Sequence, residues 1–245
     1  MGPIAKEFSP REVMGILDTI PIQLDLKKVK RKLHLDTKTD YSTDVGKLVG
    51  TAESLIQAKA VYEISYINQR GEDTVEVDGV TFTSRVLRVN LDKVERIFPF
   101  IITIGSALED NASSCNDLLK QFYLETMGDM ALGSSRQYLE EHLKRHFGLG
   151  QLSRMSPGSL KDWPVTEQKP LFSIFSNVED LIGVTLTESM LMIPRKSVSG
   201  ILFPTEVMFL SCQLCPRGNC PERKAPYDET LKEKYGLSEG EVWIT

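Results

Sequence analysis

The clearest regularity along the chain is a three- to four-residue spacing of apolar positions, which is typical of amphipathic helices. This spacing predicts a helix over residues 45–59 and a much longer one from about Leu118 to Phe147. A short, basic helix is predicted from Leu26 to Leu33. Near the start of the chain, Ser9-Pro10-Arg11-Glu12 has the form of a capped helix start and predicts a helix that runs to about Leu17.

Other segments alternate between apolar and polar positions with the period of two that is typical of β-strands. Residues 61–68 and 80–89 flank a short alternating segment around Val75, and the pair Asp78-Gly79 favours a tight turn. Residues 61–89 are therefore predicted to form an antiparallel meander. Further strands are predicted at residues 97–104, 182–187, 191–193 and 198–203. Together these elements predict an α+β fold, with a twisted antiparallel sheet and long helices.

Composition adds limits to this prediction. The 245 residues are 41% hydrophobic and 26% charged, which is ordinary for a globular protein with a substantial core. A formal net charge of -5 disfavours broad binding to nucleic acid. No apolar run is long enough to predict a membrane span, and residues 1–7 lack the apolar core of a signal peptide. We therefore expect a cytoplasmic protein.

The segment from residue 151 to 203 carries the most informative polar residues. Arg154 precedes the bend Pro157-Gly158, so a guanidinium is placed beside a turn whose peptide groups can face a ligand. An arginine can bind a carboxylate through two hydrogen bonds, and the carboxylate of Glu188 or the face of Trp163 can meet a cation. This combination suits a small zwitterion with extra positive charge. S-adenosylmethionine, which carries a carboxylate, an ammonium, a sulfonium and an adenine, has that character.

Three motifs in this segment resemble, in order and spacing, those of the activation (reactivation) domain of cobalamin-dependent methionine synthase. They are Arg154-Met-Ser-Pro-Gly, Leu186-Thr-Glu-Ser-Met190 and Ser197-Val-Ser-Gly200. The resemblance is clearest over residues 103–209 and extends back to about Thr43. It implies a single curved domain, C-shaped or helmet-like, whose concave face receives the methyl donor and the corrin together.

The resemblance also implies which residues bind the methyl donor. In that family the turn led by the arginine binds S-adenosylmethionine, usually with a Gly-Tyr pair where this chain has Gly158-Ser159. Arg154 is then expected to hold the carboxylate of the donor, and Glu188 to balance its positive charge. No residue receives a catalytic acid–base role, because cobalt is the nucleophile. The predicted binding residues are Arg154, Met155, Ser156, Pro157, Gly158, Ser159 and Glu188.

The function implied by the resemblance is reductive reactivation of a corrinoid protein, in which an inactive cob(II) state is reduced and then methylated by S-adenosylmethionine. The sequence has no Asp-x-His-x-x-Gly cobalamin loop, so we expect a partner, such as a cobalamin-dependent methyltransferase, to hold the corrinoid. The alternative is a non-catalytic binding module or an iron–sulfur electron-transfer adaptor for such a methyltransferase. A methyltransferase for small substrates is less favoured, because the sequence lacks a glycine-rich nucleotide-binding loop.

Three cysteines near the C-terminus form the second candidate site. Cys212, Cys215 and Cys220 have the spacing of a soft-metal chelate, and Cys115 is a candidate fourth ligand. An iron–sulfur cluster, a structural zinc and a set of free or redox-active thiols all remain open, and the nearby basic residues could dock a low-potential electron donor. The chain thus divides into an N-terminal helical segment (1–42), a domain that binds S-adenosylmethionine (43–210) and a cysteine-containing extension (211–245).

Overall fold

The computed structural model of the protein describes residues 14–35, 42–220 and 223–237, and for residues 42 and 43 it describes the backbone alone. The strands are β1 (Met14–Leu17), β2 (Lys59–Glu63), β3 (Ser65–Arg70), β4 (Thr74–Val77), β5 (Val80–Thr83), β6 (Arg96–Thr103), β7 (Leu152–Met155), β8 (Thr185–Leu186), β9 (Met192–Ile193) and β10 (Ser197–Pro204). The helices are α1 (Leu26–Lys32), α2 (Ser42–Leu55), α3 (Arg85–Asn90), α4 (Ala107–Ser113), α5 (Leu118–Phe147), α6 (Gln168–Ser173), α7 (Val178–Ile182) and α8 (Thr230–Tyr235). The predicted α+β fold with an antiparallel sheet is confirmed.

Strand β6 is the centre of the sheet. One of its edges pairs with β2 and then with β3, and its other edge pairs with β10, which pairs in turn with β7. All of these pairs are antiparallel. Because β6 is apolar at nearly every position, its alternate side chains can be buried on both faces of the sheet. Phe98 and Phe100 pack into the larger core cluster, which includes residues of α2 and α5, whereas Ile97 packs into a second cluster around Trp163.

The long helix α5 spans the predicted residues, Leu118 to Phe147. Asp117 caps its first turn by accepting hydrogen bonds from two backbone N–H groups, and Gly148 ends it in the left-handed conformation, with φ of 61°. Small residues along the helix allow close packing on the sheet; Gly128, for example, faces Leu108 and Ile104. The close packing of α5 therefore sets the distance between its side chains and strands β7 and β10.

The helix predicted to end near Leu17 is wrong in the part that the structure describes. Residues 14–17 form strand β1, which pairs with β2, and Gly15 lies opposite Tyr62. A Cβ added at Gly15 would lie 2.2 Å from the Tyr62 ring, so the glycine makes this close pairing possible. Pairing with the sheet overrides the local helix signal, and the predicted helix start at Ser9-Pro10 lies outside the described residues.

The strand predicted over residues 80–89 is also wrong in its second half. Strand β5 ends at Thr83, and α3 begins at Arg85 because Ser84 caps it by accepting a hydrogen bond from the Leu87 backbone N–H at 3.0 Å. The serine cap thus favours a short helix in a segment whose valines favour a strand. The meander therefore ends one turn earlier than its apolar pattern predicts.

The three-part division of the chain stays a prediction. The described residues of the N-terminal segment join the main core through β1 and α1, with Val29 fully buried. In the C-terminal segment, Leu214 and Tyr235 pack into the cluster around Trp163. Within the ranges described, no helix combines the length and the apolar character needed to cross a bilayer.

Candidate functional site

Arg154 lies on β7, opposite Leu202 of β10, with its guanidinium half-buried. Burial, and then the positive charge of Arg136, lower the pKa of Arg154 to about 10, while Glu140 acts in the opposite direction. At neutral pH the side chain is still a cation. Among the described residues, neither Arg154 nor Arg136 has a hydrogen-bond or ion-pair partner. Two unpaired guanidiniums near each other form a strong attraction for an anion.

The bend after Arg154 is a tight turn that its own sequence stabilises. The Ser159 backbone N–H donates to the Ser156 carbonyl at 3.1 Å, and Gly158 has φ of 80°, as a glycine at the third position of a type II turn does. The Gly158 N–H donates to the Trp163 carbonyl at 2.7 Å, and the Ser159 hydroxyl donates to the Ser156 carbonyl at 2.6 Å. The predicted bend is therefore present and held on both sides.

Gly200 explains why the Ser197–Gly200 motif lies beside this bend. A Cβ added at Gly200 would lie 2.5 Å from the Met155 carbonyl oxygen and 2.7 Å from the Ser156 hydroxyl. Only glycine lets β10 approach β7 this closely. Two of the three motifs singled out in the sequence thus meet in one place.

Arg154 and the bend open into a small cavity of about 270 Å³. Apart from one leucine, its lining residues are polar or cationic, and no carboxylate of the described ranges is among them. They are Arg136, Arg154, Ser156, Ser159, Leu210, Ser211, Cys212 and Lys224. Arg136 comes from α5, and the last four residues come from the segment after β10. The arrangement can bind an anion through guanidiniums and hydroxyls.

The other predicted binding residues are not among those that line this cavity. The side chain of Met155 is buried in the core cluster around Trp163. Pro157 and Gly158 form the half-buried turn itself. Glu188 is exposed in the turn between β8 and β9, where the sequence pattern favoured burial, and its role toward a ligand stays a prediction.

The prediction that the face of Trp163 meets a cation is wrong. The ring is fully buried and packs edge-on against Phe82, with ring centroids 6.0 Å apart. Its neighbour Asp162 accepts hydrogen bonds from Arg85 N at 3.2 Å and Val86 N at 3.0 Å at the start of α3. Trp163 is therefore an anchor that holds the bend to the core.

An ion-pair cluster connects the second half of the segment to α4 and α5. Lys196 contacts Glu125 at 2.8 Å and Asp129 at 2.6 Å, and Arg195 pairs with Glu109 and Glu125. Burial alone would lower the pKa of Lys196, but hydrogen bonds to the two carboxylates outweigh it and raise the pKa. Glu125 and Asp129, which the sequence places on one helical face, thus hold the start of β10.

The cysteines are not gathered into a metal site. Over the ranges that the structure describes, which include all four cysteines, no three His, Cys, Asp or Glu side chains are grouped so as to hold a metal ion. The Arg223 guanidinium instead donates to the carbonyls of Cys212 at 3.0 Å and Cys215 at 2.9 Å. As placed here, the thiols do not fit a cluster or a zinc ion, and the predicted ligand set stays a prediction.

Sequence reasoning missed four of the residues that line the cavity: Arg136, Leu210, Ser211 and Lys224. Arg136 carried a usable signal, because it shares a helical face with the buried residues Leu139 and Leu143. A cation on an apolar stripe indicates either an ion pair or a ligand. The other three lie far along the chain, and only the fold brings them to Arg154.

Comparisons with known proteins agree with these features. Residues 153–212 match the family model "Vitamin B12 dependent methionine synthase, activation domain". Among solved structures, the fold matches the MetH reactivation domain bound to AdoHcy, with a TM-score of 0.54 and 16% sequence identity, over 97% of this chain and 91% of that one. A search of curated proteins found no match. The segment that carries Arg154 and its bend therefore has the sequence signature of the vitamin B12 dependent methionine synthase activation domain, and the chain has the fold of a methionine synthase reactivation domain.

Proposed function

We propose that this protein reactivates a corrinoid protein by presenting S-adenosylmethionine to it. The observation that carries this proposal is the unpaired Arg154 guanidinium beside the Ser156–Ser159 turn, at the mouth of a cavity that suits a carboxylate. The match to the activation-domain family over residues 153–212 supports it. A reduced corrinoid on a partner protein supplies the nucleophile that takes the methyl group.

The charge of the cavity determines which part of the donor it accepts. Arg136 and Arg154 bring two cations to the lining, so the carboxylate enters and the positively charged sulfonium stays outside. The volume agrees, since about 270 Å³ is below the roughly 300–1,000 Å³ of sites that enclose a whole ligand of this size. The methyl group is then left on the open side, where a partner can approach it.

The chain's own residues bind and orient the donor. Arg154 and Arg136 hold the carboxylate. The Ser156 hydroxyl can donate to the amino-acid part or accept from it, whereas the Ser159 and Ser211 hydroxyls, which already donate within the protein, can accept from its ammonium group. Gly158 and Gly200 keep the turn and β10 close enough for these groups to converge. Holding the methyl donor in one orientation lowers the entropic part of the barrier to its transfer.

A reconstitution assay tests this proposal. An inactive cob(II) corrinoid methyltransferase is mixed with the protein, a reductant and S-adenosylmethionine labelled in its methyl group. With the wild-type protein, we expect the labelled methyl group to appear on the corrinoid protein. Arg154→Ala should lower the yield of labelled protein at least tenfold. Arg145→Ala, which changes an exposed arginine on α5, should leave this yield unchanged.

No labelling with any corrinoid protein that the wild-type chain binds would contradict methyl transfer. A change in the corrinoid spectrum without labelling would instead favour the alternative, a binding module or electron-transfer adaptor. Leu210, Ser211 and Cys212 form one wall of the cavity. A ligand bound there would therefore contact the start of the cysteine-containing segment in such an adaptor as well.

A further inference from the structure

A second and larger cavity, of about 710 Å³, lies where the junction of β2 and β3 meets the end of α5 and the end of α6. It shares no lining residue with the cavity at Arg154. Its volume falls within the range of roughly 300–1,000 Å³ typical of sites for small molecules. Apolar side chains such as Ile64, Val80 and Ile174 form much of its wall.

A buried carboxylate faces this cavity. Glu63 is 8% exposed and pairs through its backbone with Met14 of β1. In the described part of the chain, no hydrogen bond or ion pair reaches its carboxylate. Burial, and then the negative charge of Asp78, raise the pKa of Glu63 to about 7. Acids this deeply buried are rarely left without a partner in folded proteins.

A hydroxyl in the same wall also lacks a partner. The Ser65 side chain is fully buried, and its oxygen has no hydrogen-bond partner among the described residues. Leaving a buried hydroxyl unpaired costs roughly 1–3 kcal/mol. The Ser65 oxygen is not exposed to the cavity, so Glu63 is the group for which a ligand can supply the missing hydrogen bonds.

The opposite charge in the cavity comes from Arg96. Its guanidinium stacks over two rings, 5.3 Å from the centroid of Phe147 and 5.4 Å from that of Phe98. Stacking uses the faces of the guanidinium and leaves its N–H edges available. Across the described ranges, Arg96 donates no hydrogen bond and forms no ion pair. A carboxylate can therefore bind these edges through two hydrogen bonds.

We propose that this cavity binds a small zwitterion with an apolar body, of the kind that an amino acid with an aliphatic side chain represents. Glu63 receives the protonated amine, and Arg96 receives the carboxylate. The aliphatic part packs against Ile64, Val80 and Ile174. Asp78 and His146 also face the cavity, and the charge of Asp78 adds to its attraction for the amine.

Three probes with the same branched aliphatic end separate the contributions of the amine and the carboxylate. L-leucine carries both charges, isoamylamine lacks the carboxylate, and 4-methylpentanoic acid lacks the amine. Titration calorimetry with the full chain at pH 8, where Glu63 is ionised, should show saturable binding of L-leucine, at least fivefold weaker binding of isoamylamine, and none of the acid.

The variants assign the charges. Glu63→Gln should weaken L-leucine and isoamylamine at least tenfold, whereas Arg96→Gln should weaken L-leucine alone, to the affinity of isoamylamine. Glu179→Gln, which changes an exposed acid on α7, should leave both affinities unchanged. Because the two cavities share no residue, saturating S-adenosylmethionine should not compete.

The proposal is overturned if neither amine probe binds saturably to the wild-type chain, or if both bind Glu63→Gln as tightly as the wild type. It is also overturned if 4-methylpentanoic acid binds as tightly as L-leucine. The probe comparison needs no variant, so a variant that fails to fold leaves this test in force. Loss of S-adenosylmethionine binding would affect the proposed function and not this site.

Discussion

At the scale of single residues, the proposed site depends on two arginines that have no hydrogen-bond or ion-pair partner among the described residues. The charge of Arg136 lowers the pKa of Arg154, and Glu140, the acid that acts in the opposite direction, is already paired with Lys144 at 2.7 Å. Bringing like charges together at half-buried positions destabilises a folded protein unless a ligand neutralises them. Binding of an anion would relieve this repulsion, and the relief would add to the free energy of binding.

Glu63 gives a pH dependence that belongs to one residue. Its pKa is about 7 in the folded protein, against 4.5 ordinarily, so its contribution to stability is present below pH 4.5 and is lost as the pH rises through 7. Glu63→Gln does not titrate. Between pH 4.5 and 8, the free energy of unfolding should change in favour of the variant by up to about 3 kcal/mol, since one pKa unit is worth about 1.4 kcal/mol.

Urea denaturation of both proteins at several pH values measures this difference. Titrations of the other groups are common to wild type and variant and largely cancel when the two are subtracted. Glu179→Gln serves as the control and should show no such trend. A constant difference between wild type and Glu63→Gln across this range would show that Glu63 is solvated or paired in the folded protein.

At the scale of elements, the binding turn is held by a helix that it does not belong to. Asp162 binds the first turn of α3 through the Arg85 and Val86 N–H groups and also contacts the Ser84 hydroxyl. The next residue, Trp163, accepts the hydrogen bond from Gly158 and fills the core. The position of the turn thus depends on contacts with α3, about 75 residues earlier in the chain.

Asp162→Ala should therefore weaken both stability and ligand binding. Loss of the cap and of its hydrogen bonds should lower the free energy of unfolding by roughly 2–3 kcal/mol. Asp92→Ala, which removes an exposed ion pair with Arg88 just after the same helix, should cost less than about 1 kcal/mol. Chemical denaturation measures the loss of stability in the two variants, and equal losses would contradict a special role for Asp162.

Sequence patterns predicted the elements whose signals are local. Helix α5 was predicted over its full length because its apolar spacing continues without a break up to Gly148. The helix predicted to end near Leu17, and the strand predicted to continue to Val89, were wrong because partners elsewhere decide those segments: Tyr62 pairs with Gly15, and Asp162 reinforces the start of α3. The propensity of a short segment does not depend on residues far along the chain, so it cannot predict a structure that such contacts decide.

At the scale of the whole molecule, the same distinction applies to the site. Arg154 and its bend lie within six residues, so sequence alone indicated them. Arg136 and Lys224 join them only because α5 and the chain after β10 converge on β7. The cationic lining on which the proposed binding of a carboxylate depends is therefore a property of the fold.

The most direct test of the central claim is a calorimetric titration of S-adenosylmethionine into the wild-type protein, Arg154→Ala and Arg145→Ala. Binding to the wild type and to Arg145→Ala should be equal, and Arg154→Ala should lose about 2 kcal/mol or more, roughly a thirtyfold weakening, as expected when a buried charge pair is broken. No binding to the wild type, or equal binding to Arg154→Ala, would contradict the assignment of this cavity to the methyl donor.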